Sequence, residues 1–154
     1  MANEREAAGF FLYRLDRDGI AEFLVMRSAA HGSWGVPKGH RDEEDVDVLA
    51  CAHRELVEET GLADVLVHSG YRSTLSYMAK RKGEGEPYPK TVHYFLARLD
   101  TGKVVLSHEH DAAEWLSQGK ARTLLKFENL VAFFDKACEY LTTTCKVRCG
   151  NDLE

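Results

Sequence analysis

Apolar positions along this chain change period from segment to segment, and the changes mark its elements. Ala7 to Leu15 (AAGFFLYRL) is an apolar and aromatic run of strand length. Asp16-Arg17-Asp18-Gly19 interrupts it with turn residues, and Ile20 to Arg27 (IAEFLVMR) resumes it, which predicts a β-hairpin. Ser28 to Ser33 is small and polar and reads as a loop. Two glycines and a proline in Trp34 to His40 (WGVPKGH) predict irregular backbone. Leu49, Ala52 and Leu56 then recur at helical spacing. That helix has Asp45 or Asp47 as its cap and Gly61 as its stop. Val65 to Tyr77 is strand-like, and Lys80 to Pro89 (KRKGEGEPYP) is a loop. Thr91 to Leu99 (TVHYFLARL) predicts a strong strand. Lys103 to Leu106 and Ala113 to Leu116 are candidate short strands, with a polar loop, Ser107 to Asp111, between them. Phe127, Leu130, Val131, Phe134, Ala137, Cys138 and Leu141 hold a helical period, which predicts a second long helix over 124–141.

Strands before, between and after two helices predict an α/β (α+β) fold, a mixed β-sheet covered by helices. The 154 residues fit one domain, 1–154, with 1–6 and 142–154 as loose tails.

Composition adds exclusions. A net charge of −5 implies no global basic surface and argues against a nucleic-acid partner. No apolar run approaches the roughly 18 residues of a membrane span, and the first ten residues lack a signal-peptide core. The expected location is the cytoplasm and the expected state a monomer. Cys51, Cys138, Cys145 and Cys149 are then expected to be reduced thiols.

The chemistry concentrates in the first helix. Glu55, Glu58 and Glu59 fall on one helical face, where each like-charged pair costs about 0.2–0.5 kcal/mol. They also sit near the negative end of the helix dipole, where cations are favoured. A divalent cation would turn this repulsion into ligation. Magnesium fits, because it binds oxygen through few carboxylates.

The stretch Arg54-Glu55-Leu56-Val57-Glu58-Glu59-Thr60-Gly61-Leu62, preceded by Gly39, resembles the signature of the Nudix hydrolases. Gly39 and Arg54 are 15 positions apart, one more than the pattern has, so the loop carries an extra residue. Glu44 and Asp45 are candidates for its usual acid, while Val46 holds the register counted back from Arg54. WGVPKGH, TVHYFLA and Leu106 to His110 (LSHEH) with Trp115 are similar to the asymmetrical diadenosine tetraphosphate hydrolases of animal and archaeal type.

The resemblance implies a Nudix fold, with the sheet sandwiched between helices. It also implies hydrolysis of a small dinucleoside polyphosphate, diadenosine tetraphosphate, to ATP and AMP by water. The metal would be magnesium, or alternatively manganese, held by Glu55, Glu58, Glu59, Glu109 and Gly39. Arg54 would orient the acids. Glu58 would be catalytic, and Glu109 would be a further ligand or the general base. Lys38, His40, Lys80, Lys82 and Lys90 would grip phosphates, and Tyr77 and Phe127 would stack on the base. Phe127 also fits the apolar stripe of the second helix, so core packing is the rival reading. Two alternatives remain for the whole chain. One is a Nudix hydrolase for RNA 5′ ends or inositol pyrophosphates. The other is a Nudix-fold module that binds nucleotide without catalysis.

Overall fold

The computed structural model of the protein describes residues 2–80 and 85–150. Its elements are β1 (Ala2–Leu15), β2 (Ile20–Ser28), β3 (Trp34–Gly35), β4 (Lys38–Asp42), α1 (Val48–Thr60), β5 (Val65–Ala79) and β6 (Tyr88–Leu99), followed by β7 (His110–Leu116), α2 (Gln118–Leu125), α3 (Glu128–Thr143) and β8 (Arg148–Cys149). The strands form one mixed sheet with the central order β3-β2-β1-β6-β5; β4 pairs with β1, and β7 and β8 pair with β2. β1 and β6 run parallel over Glu6↔Thr91 to Tyr13↔Arg98. The other principal pairings are antiparallel.

Alternation along β1 divides the core between the two faces of the sheet. Phe11 and Tyr13 join Phe23, Tyr94, Phe134 and Leu141 on the face covered by α2 and α3. Ala8, Phe10 and Leu12 join Leu24, Phe95, Cys51, Ala52 and Leu56 on the face covered by α1. The expected mixed sheet between helices is therefore present, and so is the first hairpin.

Several boundaries differ from those the sequence suggests. WGVPKGH is not wholly irregular: Lys38 to Asp42 pair with β1, Gly9 opposite Lys38 and Ala8 opposite Gly39. Gly9 permits this approach, since a Cβ there would lie 2.3 Å from both Lys38 Cβ and the Pro37 carbonyl oxygen. Residues 1–6 are not a loose arm where described, because Ala2 and Asn3 extend β1 and pair with Asp42 and Arg41. The tail beyond 142 is likewise held in part: Arg148 and Cys149 pair with Ile20 and Ala21.

Lys103 to Leu106 forms no strand. Its backbone serves the end of α1 instead, with Val105 N donating to the Thr60 carbonyl and Ser107 N to that of Glu59. These bonds satisfy helix carbonyls that would otherwise lack partners. The second long helix is two helices, broken where Lys126 takes φ +55°. The apolar period crosses the break and conceals it.

Candidate active site

α1 begins at Asp47, whose side chain accepts from Ala50 N at 2.8 Å, so Asp47 and not Asp45 is the cap. It ends at Gly61, which takes the left-handed conformation at φ 75° that glycine reaches without strain. Between these points α1 presents Arg54, Glu55, Glu58 and Glu59 toward β4.

Asp45 has a different partner. Arg54 Nε and Nη2 donate to its two carboxylate oxygens, each at 2.9 Å. Asp45 is 7 % exposed, and the Arg54 hydrogen bonds hold its carboxyl below the usual carboxylate range. The same guanidinium reaches the His40 carbonyl at 2.8 Å, Glu55 Oε1 at 3.1 Å and both Glu58 oxygens at 3.1 Å. Arg54 thereby gathers loop and helix acids around one rigid fork. The register question is answered by this geometry. Asp45 is the loop acid, in step with Gly39, and the extra residue follows it: Val46 is 85 % exposed.

Glu59 is buried at 4 % exposure. Its Oε1 accepts from the Lys38 backbone N–H at 3.3 Å, and its carboxyl shares a hydrogen bond with Glu55. Burial, reinforced by the Glu55 charge beside it, pushes Glu59 up to about 8. Burial also raises Glu55, against the pull of Arg54. Gly39 allows this packing, for a Cβ there would sit 2.1–2.3 Å from the Glu55 carboxyl atoms. Its carbonyl faces the Cys51 thiol at 3.5 Å. Among the described residues no three acid, His or Cys side chains already converge as a metal cluster. The donor set nevertheless fits a hard divalent cation. Burial and their mutual proximity let these two adjacent carboxyls hold a proton, and a cation would replace that proton.

Beside these acids opens a cavity of about 710 Å³. Lys38, Glu59 and Glu109 line one part of it, and Tyr77 and Phe127 another. The Lys38 side chain is exposed, yet desolvation within the cleft lowers its pKa, opposed by Glu59 and Glu55. Phe127 does not pack in the core. It occupies the cap position of α3, after the break, and is 60 % exposed. Tyr77, on β5, is 42 % exposed.

The remaining expected phosphate contacts are less concentrated. His40 and Lys90 do not line the cavity; Lys90 Nζ donates to His40 Nε2 at 2.9 Å. Lys80 follows the end of β5 and does not line it either, and Lys82 lies outside the described residues. Tyr94, Val92 and Leu75 add apolar lining that sequence reading assigned to strands alone, and strand periodicity gave no sign of it.

A NUDIX domain profile matches residues 4–134, and the chain belongs to the Nudix family of hydrolases. Within that family it is similar to the asymmetrical bis(5′-nucleosyl)-tetraphosphatase of Rattus norvegicus, at 34 % identity over 148 residues, 90 % of this chain and 96 % of the rat protein. The enzyme of the same name from Sus scrofa is 32 % identical, over 88 % of this chain and 94 % of its own. Among solved structures, the binary complex of a C. elegans Ap4A hydrolase superposes with a TM-score of 0.78 at 31 % identity, covering 89 % of this chain and 97 % of the other. The E. coli dihydroneopterin triphosphate pyrophosphohydrolase, at 17 % identity and TM-score 0.69, shares the fold.

Proposed function

We propose that this hydrolase cleaves diadenosine tetraphosphate, or a close dinucleoside polyphosphate, to ATP and AMP in the presence of magnesium. One observation carries the reading: a single cavity has two exposed aromatic rings in one part, and in another a lysine with the buried carboxyl of Glu59 and the exposed one of Glu109. The near-full-length similarity to enzymes named for this reaction supports it. Stacking on an aromatic face contributes about 1–3 kcal/mol per base, so Tyr77 and Phe127 would hold the adenine. Lys38 would meet the adjoining phosphates.

Glu55, Glu58 and Glu59 would hold the cation, with Gly39 leaving room for Glu55 and Glu109 approaching from the β7 side. The cation, when bound, supplies charge neutralisation for the polyphosphate and acidifies water. Arg54 keeps Glu55 and Glu58 oriented and is not itself a ligand. Glu58 or Glu109 would accept the proton of the attacking water; both are exposed. His40, Lys80, Lys82 and Lys90 would contact the outer part of a long phosphate chain.

The test is product analysis on a panel with magnesium: dinucleoside tri-, tetra- and pentaphosphates, a triphosphorylated RNA, a capped RNA and an inositol pyrophosphate. Equal amounts of ATP and AMP from the tetraphosphate, at the highest kcat/KM of the panel, are expected. Preference for an RNA end or an inositol pyrophosphate would overturn the assignment. Tight nucleotide binding without turnover would show a binding module.

A further inference from the structure

The loop between β4 and α1 carries one residue more than the Nudix pattern, yet Asp45 lies in the fork of Arg54. An added residue widens the range of conformations a loop can take, so contacts elsewhere must fix this one. The backbone contacts of Asp45 are local. Its N–H donates to the Asp42 carbonyl at 3.1 Å, and its Oδ2 accepts from Asp42 N at 2.8 Å. These bonds close a turn over 42–45 and leave the extra residue, Val46, outside it. Arg41 reaches that residue. Its Nη2 donates to the Asp45 carbonyl at 3.3 Å and to the Val46 carbonyl at 3.4 Å, so one nitrogen holds the peptide groups on both sides of Val46. Its Nη1 donates to Glu6 Oε1 at 2.8 Å. A planar guanidinium serves both ends at once.

Glu6 is placed by the sheet. The pairing of β1 with β4 shifts register between Asn3 and Ala7, an irregularity of the kind that re-aims side chains beside active sites. Glu6 Oε2 lies 3.5 Å from Nε2 of buried His93, and His93 Nδ1 lies 2.7 Å from Arg72 Nη2. Arginine only donates, so Nδ1 accepts, and the neutral ring carries its hydrogen on Nε2, toward Glu6. A line of side chains therefore runs from β5 through β6 and β1 to the loop before α1. Arg41 does not line the cavity, so its contacts serve the loop and not a substrate.

We propose that Arg41 is a positioning residue for the hydrolysis: braced on Glu6, it fixes the backbone around Val46 and so keeps Asp45 on Arg54. Arg54 in turn holds Glu55 and Glu58. The inference rests on the reading that the acids of α1 hold the cation. Arg41 thereby offsets the extra loop residue, whose freedom would otherwise reach the acids through Asp45. Losing a group that orients metal ligands from outside their shell costs about 10–100-fold in metal affinity or activity. Arg41 acts one step further out, which places its effect at the lower end.

The experiment compares the full-length wild-type chain with Arg41→Ala, Arg41→Lys, Asp45→Asn and the double variant of Arg41→Ala with Asp45→Asn. In Arg41→Ala, kcat on diadenosine tetraphosphate should fall about tenfold and the half-saturating magnesium concentration rise about tenfold, with KM within about twofold of wild type. Manganese binding to the substrate-free chain, followed by electron paramagnetic resonance of the free ion, should weaken by a similar factor. Arg41→Lys keeps the charge opposite Glu6, but a point charge does not span an acid and two carbonyls, so its values should fall between wild type and Arg41→Ala. Against Asp45→Asn, the double variant should lose less than about threefold further, because the group that Arg41 positions is already altered. A full tenfold further loss there, a raised KM with kcat unchanged, or manganese binding in Arg41→Ala equal to that of wild type would each overturn the proposal. Should Arg41→Ala not fold, Arg41→Lys decides, and manganese binding unchanged in it overturns the proposal. A wild-type chain that neither hydrolyses nor binds manganese overturns the cation reading and this inference with it; an active wild type with unaffected variants overturns this inference alone.

Discussion

Arg54 closes on Asp45 through two parallel hydrogen bonds of 2.9 Å, and the same guanidinium touches Glu55 and Glu58. The pair fastens the loop before α1 to the helix face that carries the acids. Asp45→Ala would leave a partly buried arginine without its principal partner. Removing one member of a buried pair costs about 3–5 kcal/mol, and the partial exposure of Arg54 places the expected loss at the lower end, near 3 kcal/mol. Urea denaturation measures it. A loss below about 1 kcal/mol would mean that the loop is anchored elsewhere.

Glu59 gives a pH dependence with a definite sign. Its folded pKa of about 8 lies above the ordinary carboxylate value. Between that value and about 8 the folded chain keeps a proton that the unfolded chain has released. The contribution of Glu59 to the stability of the metal-free protein should therefore be fully present below the ordinary carboxylate pKa and be lost as pH rises toward 8. The slope contributed is at most about 1.4 kcal/mol per pH unit. Denaturation in chelator across this range should show it, and Glu59→Gln should flatten it. Saturating magnesium should flatten it too, because the cation takes the place of the proton.

Gly39→Ala separates fold from activity. The added Cβ would meet the Glu55 carboxyl at 2.1–2.3 Å, but that carboxyl is the far end of a flexible side chain. The side chain should turn away at a small cost in stability. Hydrolysis should fall by about 10²-fold or more, as when one preorganised charged group is misplaced. Thermal unfolding and kcat, measured on the same preparation, check the two halves.

Phe127→Ala should leave stability nearly unchanged, since Phe127 is 60 % exposed, and Tyr77→Ala should cost little, since Tyr77 is only partly covered at 42 % exposure. Each should raise KM for a dinucleotide by about 5- to 150-fold, the equivalent of about 1–3 kcal/mol of stacking. An inorganic tripolyphosphate, which has no base, should show no such change. A stability loss of several kcal/mol in Phe127→Ala would restore the core-packing reading of that residue.

Glu58→Gln tests the exposed acid. Expected is a fall in kcat of about 10²–10³-fold with the fold retained, since Glu58 is exposed and its hydrogen bonds run to Arg54 at the surface. Circular dichroism and steady-state kinetics decide it.

The sequence by itself determined the local features of this protein. The acids of α1, the Gly61 stop and the hairpin are readable because each follows from spacing and residue type within one or two turns of chain. The loop acid was narrowed to Glu44 or Asp45, but the choice needed the reach of Arg54 across nine residues of folded backbone. The strand hidden in Lys38 to Asp42 exists because β1 offers it a partner, and pairing with a distant strand leaves no period in the segment itself. Phe127 keeps the helical period yet lies outside the core, because the backbone reverses at Lys126 and turns the ring outward. The cavity joins β5, β7, the Lys38 strand and the start of α3. Only tertiary structure could decide that meeting, since contacts between remote segments are set by how the two faces of the sheet are covered and not by any local pattern.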